Sequence, residues 1–201
     1  MLSLIFPDQK PPDTFTQFGD QVELICIDRS QAATRAERLN LGVARSKGEM
    51  VFLHHPRSRV DPSGIEYLVA HSQEKIWGGF SQSFDTRHPL LKLTSWYTNN
   101  IRPRFSRVVY LDHGIFFHRS FFQHPIAPIP IMEDTVLCHQ LRRHGRPVIL
   151  PFQSVTSAIR YETNGVWRQA GLNQLMKLGF FVGIPPERLN RWYERGLHLN
   201  G

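Results

Sequence analysis

Short aliphatic runs alternating with stretches of helical period constrain this chain more than any other feature. The runs are Leu2 to Phe6, Val22 to Ile27, Met50 to Leu53, Val108 to Leu111 and Ile115 to Phe117. Each has the length and side chains of a buried strand. Between the second and third, Ala32, Ala36, Leu39 and Val43 recur at helical spacing, and Gly48 is expected to stop that helix. Asp61 before Pro62 reads as an N-cap and first helical residue, followed by Ile65, Leu68 and Val69 on one face. Glu133 to His144 places Val136, Leu137 and Leu141 on one side, Arg142 and Arg143 in the last turn and Gly145 beyond it. Val166 to Phe181, and a last helix opening at Pro185 or Pro186 with Leu189, Trp192 and Tyr193, predict a C-terminal helical segment over about 165–196. Alternation of this kind predicts an α/β fold, and 201 residues with no linker or repeat predict a single domain over 1–201.

Composition matters mainly through charge. The formal net charge is +7, and 19 of the 24 basic residues are arginines. Guanidinium groups grip phosphate oxygens in pairs where ammonium groups act as point charges, so a phosphate-bearing ligand is favoured. The basic residues are scattered, and Phe105, Tyr110, Phe116 and Phe117 sit in strand-like runs, so they are expected in the core and no nucleic-acid partner is expected. Cys26 and Cys138 fall in apolar surroundings and are expected to be buried as small hydrophobes. The ten histidines show no HExxH spacing and no paired cysteine motif. No apolar run approaches the roughly 18 residues of a membrane span, and the start MLSLIFPDQK lacks the pattern of a secretory signal, so the cytoplasm is the expected compartment.

Three features carry chemistry. Asp28 ends the second run, and a carboxylate at the carboxyl end of a parallel strand sits where open α/β sheets bind ligands. Asp112 and His113, with Gly114, interrupt an otherwise apolar stretch, and polar groups there are either turn residues or useful. Glu133 and Asp134 open a helix after the proline-rich stretch 125–130, where they complement the helix dipole or position a base.

Taken in order, the segments Glu23 to Asp28, Arg35 to Gly42, Gly48 to His54, Trp77 to Phe80, Asp112 to Phe117, Met132 to Asp134, Leu141 to Pro147, Thr156 to Glu162 and Leu178 to Pro185 resemble the family-two-like glycosyltransferases of the A-type nucleotide-diphospho-sugar transferase (GT-A) fold. More narrowly, they resemble the subgroup of radical-SAM/selenodomain-associated transferases. The resemblance implies a three-layer α/β/α Rossmann-like fold with a mostly parallel central sheet, and an inverting transfer from a nucleoside diphosphate sugar, UDP-sugar favoured, to an acceptor hydroxyl. It implies that Asp28 holds the nucleotide, that Asp112 and His113 line the sugar pocket, that Arg160 contacts the diphosphate, and that Asp134, with Glu133 beside it, is the general base.

Two departures qualify the family pattern. Relatives place a metal-binding acid where this chain has Pro56, within Phe52-Leu-His-His-Pro-Arg-Ser58. The Mg2+ or Mn2+ that the resemblance implies is thereby put in doubt. His54 and His55 are the remaining metal candidates there, but adjacent strand residues point to opposite faces, which leaves Arg57 or Arg59 to neutralise the diphosphate. The helix usually following the first strand is also curtailed to 11–18. A disabled relative that binds nucleotide without turnover is therefore the competing expectation. The apolar residues Trp167, Leu172, Leu175, Met176, Leu178, Phe180 and Phe181, with Arg168 and Lys177 among them, are expected to pack on the sheet. The other reading of this helix is contact with the inner face of an anionic membrane, presenting a lipid-linked acceptor.

Overall fold

The structure, a computed structural model, describes residues 1–8 and 10–194. Strands β1 (Leu2–Pro7), β2 (Val22–Ile27) and β3 (Met50–Leu53) form a parallel block with β1 in the middle. Every residue of β1 is buried, as a strand covered on both faces requires. Helix α1 (Arg35–Arg45) joins β2 to β3 and starts at a reciprocal capping box. The Thr34 hydroxyl accepts from the Glu37 N–H, and the Glu37 carboxylate accepts from the Thr34 N–H at 2.8 Å. Ala36, Leu39 and Val43 form its buried face as the stripe predicts, while Ala32 precedes the helix. The helix ends at Arg45, short of Gly48. Gly48 answers a different need: a Cβ there would lie 2.6 Å from Ser3 Oγ and 2.7 Å from the Ser3 backbone nitrogen, because β1 passes against it.

The chain continues through β4 (Ser58–Val60), α2 (Pro62–Ala70), β5 (Trp77–Phe84), α3 (Pro89–Asn100), α4 (Arg102–Phe105), β6 (Ile115–His118), α5 (Glu133–Leu141), β7 (Val148–Thr156), α6 (Ile159–Asn164), α7 (Val166–Phe181) and α8 (Pro186–Tyr193). Asp61 caps α2 through the Ser63 N–H at 3.0 Å, as expected. The sheet has seven strands in the order β2-β1-β3-β6-β5-β7-β4. Strands β1, β2, β3, β5 and β7 share one direction, and only β6 and β4 oppose them. On one face α1 and α5 pack on Ile5, Val51, Leu53 and Phe117. On the other, α2 and the 3-10 segment Asp13–Gln21 cover Leu4, Phe6, Met50 and Phe52. The three-layer α/β/α arrangement with a mostly parallel sheet is the one the sequence predicts.

Several local expectations are corrected. Val108 to Leu111 is not a strand: Val109 turns its backbone to helix α5, its N–H donating to Cys138 Sγ at 3.3 Å and its carbonyl accepting from that thiol at 3.1 Å. Leu111–His113 is instead a 3-10 turn. Cys138 is buried as expected, but Cys26 is exposed. It lies on an edge strand and faces away from the side where α1 covers Ile25 and Ile27. Phe116 and Phe117 are core, whereas Phe105 on the short α4 faces solvent. Trp167, Leu175, Leu178 and Phe181 are also exposed. Helix α7 packs mainly on α6 and α8 and buries Gln169, Met176 and Gly179 rather than its larger apolar residues. No described helix is long and apolar enough to cross a membrane.

Strand β5 depends on Gly78. A Cβ there would sit 1.8 Å from the Val148 carbonyl oxygen, a backbone atom of the neighbouring strand that cannot swing aside. Gly78→Ala is therefore expected to destabilise the fold by about 1–3 kcal/mol, read as a lower melting temperature. An unchanged melting temperature would show that β5 and β7 are further apart than described.

Candidate active site

At the carboxyl end of β3 and β5 the chain forms a cleft whose floor is the turn before β6. Asp112 and Asp134 both line it, together with His113, His55, Arg35, Arg57 and Arg102. Helices α3, α4, α7 and α8 supply the walls through Thr98, Arg102, Lys177 and Tyr193.

The turn holding Asp112 is pinned from outside. Its backbone carbonyl accepts hydrogen bonds from Ser154 Oγ at 2.6 Å, Thr156 Oγ1 at 3.3 Å and Ser58 Oγ at 3.4 Å, hydroxyls of the antiparallel pair β4 and β7. The Asp112 carboxylate is left facing the cleft, 3.4 Å from His55 Nε2. The Arg57 backbone N–H can only donate, and it points at His55 Nδ1 at 3.3 Å, so the neutral ring carries its proton on Nε2 toward Asp112. Burial and the nearby Arg35 and Arg57 keep His55 neutral by holding its pKa well below the ordinary value. His113 is likewise neutral, burial lowering its pKa to about 4.

Asp134 stands in the first turn of α5 and accepts from the backbone N–H groups of Leu111 at 3.2 Å and Thr135 at 2.7 Å. Burial, and then the neighbouring Glu133 carboxylate, raise its pKa to about 7, against the pull of Arg35. Glu133 is fully buried behind the cleft, where it accepts from Arg35 through both Nε and an Nη nitrogen. Arg35 is the first residue of α1, so the capping box at Thr34 sets where this guanidinium enters.

The remaining predicted residues lie apart from this constellation. Asp28 is exposed at the end of β2, outside the cleft lining, and its carboxylate accepts from the Ser30 N–H at 2.9 Å and Ser30 hydroxyl at 2.5 Å. Those bonds hold its pKa below the usual carboxylate value. Arg160 is buried beneath Tyr193, its guanidinium 4.5 Å from the ring centroid, and donates to Glu194 at 2.7 Å. It braces a wall residue and does not itself line the cleft. His54 packs among Phe6, Phe15 and Phe52, on the opposite side of the strand end from His55. Among the described residues no group of three or more His, Cys, Asp or Glu side chains could hold a metal ion. Proline at position 56 adds no donor, and Arg35 and Arg57 line the cleft with Asp112, a cationic setting that disfavours a divalent ion. Arg59 is exposed on β4, whereas Arg57 reaches the cleft.

The comparisons agree with this architecture. No protein-family model and no curated protein sequence matches the chain. Among solved structures, residues 1–349 of TarS from S. aureus superpose with a TM-score of 0.53 at 10% identity over 78% of this chain and 60% of that one. The same TarS segment in complex with UDP-GlcNAc gives 0.52 at 9% identity, over 78% and 58%. A mycobacterial protein gives 0.50 at 14% identity, over 78% and 65%. The chain thus spans about 60% of the length of the TarS segment, and at these identities the likeness is one of fold, the A-type glycosyltransferase fold.

Proposed function

We propose that this chain transfers a sugar, with inversion, from a UDP-sugar to an acceptor hydroxyl, using Asp134 as general base and arginines in place of a metal ion. The observation that carries the reading is the convergence of Asp112, Asp134, Arg35 and Arg57 on one cleft from four separate segments. The fold shared with a protein solved with UDP-GlcNAc and with UDP supports the choice of ligand. The proposed subgroup of radical-SAM/selenodomain-associated transferases rests on the sequence segments alone.

An alcohol attacks the anomeric carbon only as its proton leaves, and the Asp134 carboxylate takes that proton as the bond forms. The departing UDP gains negative charge on its β-phosphate. Arg57, whose Nη1 is buried with no hydrogen-bond partner among the described residues, would meet that charge beside Arg35. In this reading Asp112 orients the sugar through its carboxylate, beside the neutral ring of His55, and Asp28, although outside the cleft lining, contacts the nucleotide.

The test is nucleotide binding without metal. UDP at about 100 times its Kd should stabilise the protein by about 2.7 kcal/mol, equally in EDTA and in manganese, and Arg57→Met should cut that gain sharply. A shift that appears only with manganese would remove the arginine-based site, and no shift with any nucleoside diphosphate would remove the transferase reading. The competing reading, a nucleotide-binding protein without turnover, is favoured by Pro56. It predicts the same stabilisation but no release of UDP from UDP-GlcNAc with any acceptor.

A further inference from the structure

Arg102 is a cation in this cleft that the proposed diphosphate site does not use and the protein's own acids do not pair. It is only 6% exposed, yet its Nη1 is buried with no hydrogen-bond partner and it makes no ion pair among the described residues. Its neighbours are aromatic faces: the guanidinium carbon lies 4.2 Å from the centroid of Tyr110 and 5.5 Å from that of Tyr97. Ring faces orient a guanidinium but leave its N–H donors unused, and a buried cation without an anion is costly.

Other donors at the same end of the cleft share this condition. Gln82 is 3% exposed and its amide nitrogen has no partner, although its carbonyl oxygen accepts weakly from Thr98 Oγ1 at 3.4 Å. Lys177 reaches in from α7, its ammonium 5.5 Å from the Tyr110 centroid, with no carboxylate in salt-bridge range among the described residues. The acids of the cleft are engaged elsewhere, Asp112 with His55 and Asp134 with two backbone N–H groups.

We propose that this end of the cleft, built from Arg102, Lys177 and Gln82, binds a phosphoryl group carried by the acceptor. The proposal rests on the transferase reading for the word acceptor, and on the unpartnered donors for the anion. Donors from α4, α7 and β5 suit a tetrahedral oxyanion better than a carboxylate, which one arginine fork can satisfy alone. Asp134 lines the same cleft as Arg35 and Lys177 and interacts electrostatically with both. A hydroxyl held near Lys177 by its own phosphate would be delivered to the base. The phosphate is either soluble or the headgroup of a lipid, and the exposed Leu175, Leu178 and Phe181 of α7 make the second source worth separating.

Inorganic phosphate is titrated calorimetrically into protein already saturated with UDP. One phosphate should bind, at least tenfold more weakly in Arg102→Met and in Lys177→Met and equally well in Arg59→Met, with UDP affinity unchanged in all three. In parallel, variants and parent are sedimented with phosphatidylcholine vesicles containing phosphatidic acid. Binding lost in Arg102→Met would assign the phosphate to a lipid headgroup, and phosphate binding without sedimentation would assign it to a soluble acceptor. No phosphate or vesicle binding, equal binding by the folded variants, or loss of UDP binding in Arg102→Met would each overturn the proposal. Melting temperatures identify any variant that fails to fold, and Gln82→Leu then serves as the replacement probe. If UDP does not bind the parent, the transferase reading fails, and the same titrations of the ligand-free protein still decide whether the anion site exists.

Discussion

Replacing Asp134 by Asn is expected to abolish sugar transfer while leaving UDP affinity within a factor of about two of the parent's. A positioned general base contributes about 10²–10⁴-fold, and the amide keeps the shape and one acceptor oxygen but cannot take a proton. The same residue fixes the pH dependence. Its active form is the carboxylate, and burial with the Glu133 charge raises its pKa from 3.8 to about 7, so kcat/KM of the parent should climb with pH and level off above about 7. Stability carries the opposite sign. The raised pKa means the fold favours the protonated form, a stability fully present below 3.8 and lost as pH rises through about 7. An amide at this position cannot ionise, so the Asp134→Asn variant should melt at or above the parent temperature at pH 8, which separates lost chemistry from lost fold. Full transfer by the variant would remove Asp134 from the base role.

What the sequence disclosed and what it hid follow the physics of each element. β1, β3 and β6 were legible because strands buried on both faces must be continuously apolar, and β2, an edge strand, because its covered side keeps Ile25 and Ile27. β5 reads Trp77-Gly-Gly-Phe-Ser-Gln-Ser-Phe84, and its glycines mark strand contact where an aliphatic run would normally be sought. In β7, Pro151 falls where the register with β5 shifts between Phe80 and Ser81, so the residue that argues against a strand sits at a bulge. The outward-facing side chains of α7 escaped because periodicity reports one apolar stripe and not which stripe is covered.

The site divides along similar lines. Asp112, His113 and Asp134 were visible as acids or polar residues breaking apolar patterns, and the structure brings them to one cleft. Asp28 and Arg160 occupy recognisable segments but have local partners in Ser30 and Glu194. Arg102, Lys177, Gln82 and Tyr110 were not singled out for this cleft, since helices α3, α4 and α7 meet it only in three dimensions. Of these only Arg102 falls under the excess of arginine over lysine.

Glu133 offers the second large effect. It was read as a companion base, but it is 1% exposed and bound to Arg35, outside the cleft lining. Truncation by Glu133→Ala removes one partner of a buried ion pair, a change that costs about 3–5 kcal/mol. In a chain of this length each kcal/mol is worth about 2–4 °C, so melting should fall by roughly 6–20 °C. The isosteric Glu133→Gln keeps much of the packing and isolates the electrostatic role. Removing the Glu133 charge, which helps burial raise the Asp134 pKa, while Arg35 still lowers it, moves that pKa down. The acid limb of the pH–rate profile should therefore shift to lower pH, with kcat at high pH reduced because Arg35 is less firmly aimed at the cleft. A merely structural glutamate would lower the yield of active protein and leave the position of that limb where it was.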